Sequence, residues 1–217
     1  DPARARRGAV GSGSGIRLQG LLRGGVRRAS FCRSGGAPAT CDGAAGRAPP
    51  RPNAHPPEPF STESVEELAQ YRAVLETSAG PITLAFNPEV APGHVRNFLR
   101  LAETGVYDGM AFHRVVKGFA VQTGSLDSRD PLTEAQQKLV RTLAPEFNDM
   151  KHVKGIVSMA RGDDPASAST SFFIVTSDAP SLDGKYTAFA RVVDGIAALD
   201  AIEASPVNGE APVTRIE

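Results

Sequence analysis

The stretch Phe112-His113-Arg114-Val115-Val116-Lys117-Gly118-Phe119-Ala120-Val121-Gln122-Thr123-Gly124 decides how this chain is read. Two short apolar runs meet at a Lys117-Gly118 turn, the pattern of a β-hairpin, and carry one arginine and one glutamine. Along a strand, residues i and i+2 share a face. Phe112 and Arg114 can therefore point the same way, and so can Ala120 and Gln122. A guanidinium among aromatic side chains, with an amide in reach, suits a neutral, carbonyl-rich ligand. The stretch holds no nucleophile, paired carboxylates or phosphate loop, which points away from most hydrolytic chemistry.

Working outward, Tyr71–Thr77 and Ile82–Phe86 flank a Ser78-Ala79-Gly80 turn and predict a second hairpin. Pro88 and Pro92 interrupt the strand pattern. His94–Thr104 then reads as a helix with Val95, Phe98, Leu99 and Ala102 on one face, stopped by Gly105. A short helix is expected at Val65-Glu66-Glu67-Leu68, after Ser61-Thr62-Glu63-Ser64. Pro131-Leu132-Thr133-Glu134 opens a helix expected to run to about Leu143. Strands are predicted at Gly155–Ala160, Phe172–Val175 and Thr187–Val193, a helix at Gly195–Glu203, and a last strand beginning at Val213–Glu217. Strands dominate and the βαβ alternation is missing. An antiparallel closed barrel or sandwich capped by helices fits better than a parallel sheet.

The 217 residues carry no net charge and are 41% hydrophobic, but the balance hides a split. Residues 1–57 hold ten Arg, no Lys and two acidic residues, giving +8, whereas residues 58–217 carry −8. Half of the 22 Gly lie in the first segment, which argues against a packed core there. Residues 1–57 are read as a disordered Arg/Gly/Pro-rich tail and linker. An organelle-targeting peptide and a segment foreign to the native protein are the alternatives. Residues 49–59 hold six prolines and read as a stiff linker. Both cysteines, Cys32 and Cys41, fall in the tail, and the four histidines lack metal spacing. No cofactor or metal is expected. No apolar run approaches a membrane span. The absence of a clear signal favours a cytoplasmic location, with an organelle or the periplasm as alternatives if the tail is a targeting segment.

From about residue 70 to 217 the chain resembles the cyclophilin-type peptidyl-prolyl cis-trans isomerases, in what looks like a bacterial variety. Tyr107-Asp108-Gly109-Met110-Ala111-Phe112-His113-Arg114 is similar to the family's YDG…FHR segment. Gly118-Phe119-Ala120-Val121-Gln122-Thr123-Gly124 is similar to GFxxQxG. Glu146-Phe147-Asn148, Gly155–Ala160, Ser171–Ile174 and Leu182-Asp183-Gly184-Lys185 follow in the family's order. Each motif alone is weak; their ordered combination is strong. The resemblance implies a closed eight-stranded antiparallel barrel capped by two helices over residues 58–217, with a truncated last strand. It also implies an isomerase that assists protein folding, acts on proline-containing polypeptides and is a monomer.

By the same resemblance Arg114 is the cation near the prolyl nitrogen and carbonyl, and Gln122 holds that arginine and bonds the substrate backbone. Phe119, Phe173 and Leu182 line the proline pocket. Phe172 and Phe173 must face opposite ways, with Phe172 in the core. Phe112 is expected in the core, and His113 faces away from Arg114. Ala160 meets substrate through its main chain. Arg161 stands where many members have Asn, a change expected to matter little. Ala120 replaces a common Met, Ser171 a Gln and Tyr186 a frequent His. Ser181 stands where many members carry Trp, implying weak binding of cyclosporin. Residues 125–145 form a polar insert beside the groove. The competing readings are a non-catalytic module that binds proline-bearing segments, a nucleic-acid role for the tail, and a general hydrolase. The tail has charge but one aromatic, Phe31, and no recognisable fold, so nucleic acid is not the expected partner. No Gly-x-Ser-x-Gly elbow supports a hydrolase.

Overall fold

The computed structural model describes residues 15–20 and 58–217. In chain order the elements are β1 (Gly15–Gly20), α1 (Val65–Leu68), β2 (Tyr71–Thr77), β3 (Gly80–Phe86), α2 (Pro92–Glu103), β4 (Arg114–Val116) and β5 (Ala120–Thr123). They continue with α3 (Glu134–Gln137), β6 (Ile156–Met159), β7 (Phe172–Val175), β8 (Ala188–Asp194), α4 (Ile196–Glu203), β9 (Val207–Asn208) and β10 (Ala211–Pro212). Strands β1 to β8 form one antiparallel sheet in the order β1-β2-β3-β8-β6-β7-β5-β4, and β9 pairs with β10 alone.

Alternation along the strands gives the sheet two apolar faces. Ala73, Leu75, Ile82, Leu84 and Phe86 point to the main core with Val115, Val121, Phe172 and Phe189. Helix α2 packs into this side through Val95, Phe98, Leu99 and Ala102, the face its sequence spacing predicts. The Phe98 ring lies 5.1–5.5 Å from those of Tyr107, Phe172, Phe86 and Phe189. The N-cap residue of α2, Ala91, makes no side-chain cap. Glu146 supplies it from a distance, accepting from the Gly93 and His94 N–H groups at 3.0 and 2.9 Å. On the outer side of α2, Arg96 donates to the carbonyls of Phe60 and Glu63. Arg100 reaches Glu58, Asn97 and the Leu139 carbonyl. Helix α1 begins with the expected cap: Ser64 and Glu67 form a capping box.

Four expectations need correction. The sheet is a curled, open one: β1 and β4 are its edges and no ladder joins them. Val213–Glu217 is not a strand. Single hydrogen bonds tie it down instead, from Phe112 N–H to the Ile216 carbonyl and from Ser78 N–H to the Glu217 carbonyl, both 2.8 Å. The helix expected from Pro131 to Leu143 is a single capped turn, α3. Beyond it Leu139, Val140 and Leu143 turn toward the core, and Arg100 takes the Leu139 carbonyl, so packing overrides helix continuation. Finally, six residues of the segment expected to be disordered form β1. Ile16 and Leu18 pack on the core from an edge ladder with β2. The rest of residues 1–57, with both cysteines and the proposed linker up to Pro57, lies outside the described residues.

Candidate active site

Strands β4 and β5 pair with Arg114 opposite Gln122 and Val116 opposite Ala120. Val115 and Val121 point into the main core, so period two sends Arg114, Gln122 and Ala120 to the outer face. The turn between the strands is pinned from α4. Glu203 accepts from the Gly118 N–H and from the Thr176 hydroxyl, both at 2.7 Å. Gly118 takes φ +70°, the left-handed conformation that glycine allows.

Strand β7 lies beside β5, with Phe173 opposite Gln122. Phe172 enters the main core and Phe173 the outer face, as the alternation requires. There Phe173, Ala120 and Leu182 form a second apolar cluster with Val175 and Ala179. Phe119, Ala160 and Tyr186 pack against it. The cluster floors an open cleft of about 270 Å³ whose rim carries Arg114, Gln122 and Arg161. Nine of the ten site residues expected from the sequence thus line one cleft. Ser171 is the exception: its main chain serves the sheet, its carbonyl accepting from Ala160 N–H at 2.9 Å.

One wall is a stack of rings. Tyr186 stands edge-on to Phe173, with centroids 5.6 Å apart, and the Arg161 guanidinium lies 4.8 Å from the Tyr186 ring centre. Arg161 also donates to the carbonyls of Gly162, Asp163 and Lys185, which fix it as part of the wall. The side chain expected to matter little is therefore structural to the cleft. Behind Phe173 the His152 ring lies parallel at 6.4 Å. His152 Nε2 meets Ser158 Oγ at 2.8 Å and Nδ1 meets Asp183 at 3.0 Å. This chain has the residue types of a hydrolytic triad. Ser158 is fully buried, however, so no substrate carbonyl reaches its oxygen. It braces the floor of the cleft. The His152 backbone N–H, the His152 ring and Lys151 hold Asp183 down to a pKa of about 2.

The Arg114 guanidinium has a partner that local sequence patterns could not reveal. Glu210, in the β9–β10 turn, accepts from Nε at 2.6 Å and from Nη2 at 3.1 Å. The Glu210 carbonyl accepts from Val115 N–H at 2.7 Å, so the same residue is tied to β4 twice. No side-chain hydrogen bond joins Gln122 to Arg114 among the described residues; the holding contact expected of Gln122 is made by Glu210. The Arg114 hydrogen bond keeps the Glu210 carboxyl below its ordinary pKa. His113 is half-buried and faces away from the cleft, with Nδ1 unpaired, and burial lowers its pKa. Among the described residues no three His, Cys, Asp or Glu side chains converge as a metal site. None of their helices is long and apolar enough to cross a membrane.

The profile of the family described as "Cyclophilin type peptidyl-prolyl cis-trans isomerase/CLD" matches residues 72–217. A peptidyl-prolyl cis-trans isomerase of Arabidopsis thaliana is 40% identical over 147 residues, covering 66% of this chain and 65% of the plant protein. The chain thus spans just under two thirds of that relative. A Brucella abortus protein named "Probable peptidyl-prolyl cis-trans isomerase" is 37% identical over 137 residues, covering 60% of this chain and 70% of the relative. Plant and bacterial relatives match about equally, so the similarity does not single out a bacterial variety. A crystal structure of a Cryptosporidium parvum cyclophilin-type isomerase, obtained in the presence of the dipeptide Ala-Pro, superposes with a TM-score of 0.60 at 27% identity. It covers 67% of this chain and 93% of that one. The profile spans more than half of the chain and its motifs converge on one cleft: this chain belongs to the cyclophilin-type peptidyl-prolyl cis-trans isomerase family.

Proposed function

We propose that the cleft accelerates rotation about X–Pro peptide bonds in proline-containing polypeptides, and that the protein assists folding by this means. The observation that carries this reading is the placement of Arg114 at the rim of an apolar floor built from Phe173, Leu182 and Ala120. The floor suits a proline ring, and we assign the guanidinium at its rim to the amide of that ring. Uncatalysed rotation faces a barrier of about 18–20 kcal/mol. Twisting the amide breaks its resonance and leaves a pyramidal nitrogen with a free lone pair. A fixed donor meets that nitrogen only in the twisted state, and such differential binding lowers the barrier. Each ~1.4 kcal/mol gained only in the twisted state is a tenfold rate increase. No bond breaks, so no covalent intermediate forms. Gln122 is assigned to the substrate backbone, as is the main chain of Ala160.

The second reading, a module that binds proline-bearing segments without turnover, draws on one observation: Glu210 partly neutralises the Arg114 charge. Exchange spectroscopy on an Ala-Pro peptide with substoichiometric full-length protein separates the two. An enzyme broadens and exchanges the cis and trans signals of the whole peptide pool. A binding module shifts signals in proportion to occupancy and leaves the exchange rate alone.

A further inference from the structure

We infer that Glu210 is a positioning residue for the isomerase reaction, holding the Arg114 guanidinium in the one orientation that serves the cleft. This rests on the proposed role of Arg114. The clamp is side-on: Nε and one N–H of Nη2 are engaged by the carboxylate, at 2.6 and 3.1 Å. Both N–H groups of Nη1 and the second of Nη2 stay available to substrate. Glu210 itself cannot drift, because its carbonyl is bonded to Val115 N–H at 2.7 Å, next to the arginine it holds. Gln122 lies directly across the strand pair, but among the described residues its side chain makes no hydrogen bond to Arg114. Without Glu210 the guanidinium would be free to sweep the solvent, its side chain being 39% exposed.

Arginine loses substantial rotamer freedom when fixed, and a misplaced catalytic group forfeits rate steeply. A clamp made before substrate arrives means less of that entropy is lost during the reaction. The carboxylate weakens the positive field but leaves the donors in place. Because both partners are solvated, the ion pair adds little to folding stability. Its effect belongs in the rate.

The test uses the full chain, the Ala-Pro peptide exchange assay, thermal melting and the ¹⁵N signal of Arg114 Nε. Glu210→Ala is expected to lower kcat/KM about tenfold, mainly through kcat, with the melting temperature held and the Nε signal moved to that of a free arginine. Glu210→Gln, which keeps one acceptor oxygen, is expected to recover part of the rate. An Ala variant as fast as the parent, or faster, overturns the inference. So does a rate loss that comes with a lowered melting temperature and is not relieved by Gln. Arg114→Ala separates this inference from the reading beneath it. If that variant keeps the parent's rate, the assigned role of Arg114 fails. If it is slow while Glu210→Ala is normal, only the positioning role fails.

Discussion

Phe172 and Phe173 are neighbours in sequence with opposite assignments, and truncating each to alanine gives opposite outcomes. Phe172 is 1% exposed and packs edge-on against Phe98 and Tyr107 in the main core. Phe172→Ala removes a central ring and leaves a cavity, a change that costs about 3–5 kcal/mol. Phe173 is nearly as buried, at 7%, but its cluster is the smaller one that faces the cleft. Its truncation lets Leu182 and Tyr186 relax into the open space, so the expected stability loss is smaller. What it forfeits is a wall for the substrate. A proline ring offers a few methylenes, each worth about 0.8 kcal/mol when buried. Losing the contact for one or two of them costs about 0.8–1.6 kcal/mol, roughly four- to fifteenfold in kcat/KM. Urea unfolding and the Ala-Pro exchange assay, run on both variants, measure the two quantities. A Phe173→Ala variant that keeps the parent's kcat/KM, or a Phe172→Ala variant that is the less destabilised of the two, would overturn these assignments.

Acid sensitivity follows from Asp183. Its pKa is held near 2 by the His152 backbone N–H, the His152 ring and Lys151, well below the ordinary 3.8. A depressed carboxyl contributes stability that is present above the ordinary value and lost as pH falls through about 2. Melting temperatures between pH 5 and 2 are expected to fall more steeply for the parent than for Asp183→Asn. Glu146→Ala removes the side chain bonded to the start of α2 and is expected to cost about 1–2 kcal/mol in urea unfolding. Gly124→Ala is expected to cost more than 1 kcal/mol, since left-handed backbone alone costs an L-residue about 1–2 kcal/mol. Gly124 has φ +81° and a Cβ there would meet the Thr170 carbonyl at 2.5 Å. A Gly124→Ala variant that melts like the parent would show the strand can yield.

The cleft was legible because its residues sit in strands, where spacing alone assigns faces. Arg114, Ala120 and Gln122 follow from period two once Val115 and Val121 are taken as core, and Phe173 follows from Phe172 in the same way. Elements held by distant contacts were not legible. Glu210 meets Arg114 across 96 positions and lies in a two-residue hairpin with no strand-length pattern of its own. The Arg161 stack depends on Tyr186, which a later loop brings to it. The stretch from Pro131 to Leu143 reads as a longer helix than it forms because its polar residues have good helix propensity, whereas Arg100 and the core claim its second half. The alternation Ile16-Arg17-Leu18-Gln19 was present in the tail, but so short a run among glycines carries little weight until β2 supplies a partner edge.

In the proposed mechanism Arg114 lowers the barrier by meeting the twisted prolyl amide. The most direct measurement is the cis–trans exchange rate of an Ala-Pro peptide with the parent and with Arg114→Ala at equal, substoichiometric concentration, both verified as folded by melting. The expectation is that the parent drives exchange and that Arg114→Ala loses at least tenfold of that rate while its melting temperature stays close to the parent's, because the Arg114–Glu210 pair is solvent-exposed. A folded Arg114→Ala protein that exchanges the peptide as fast as the parent contradicts it.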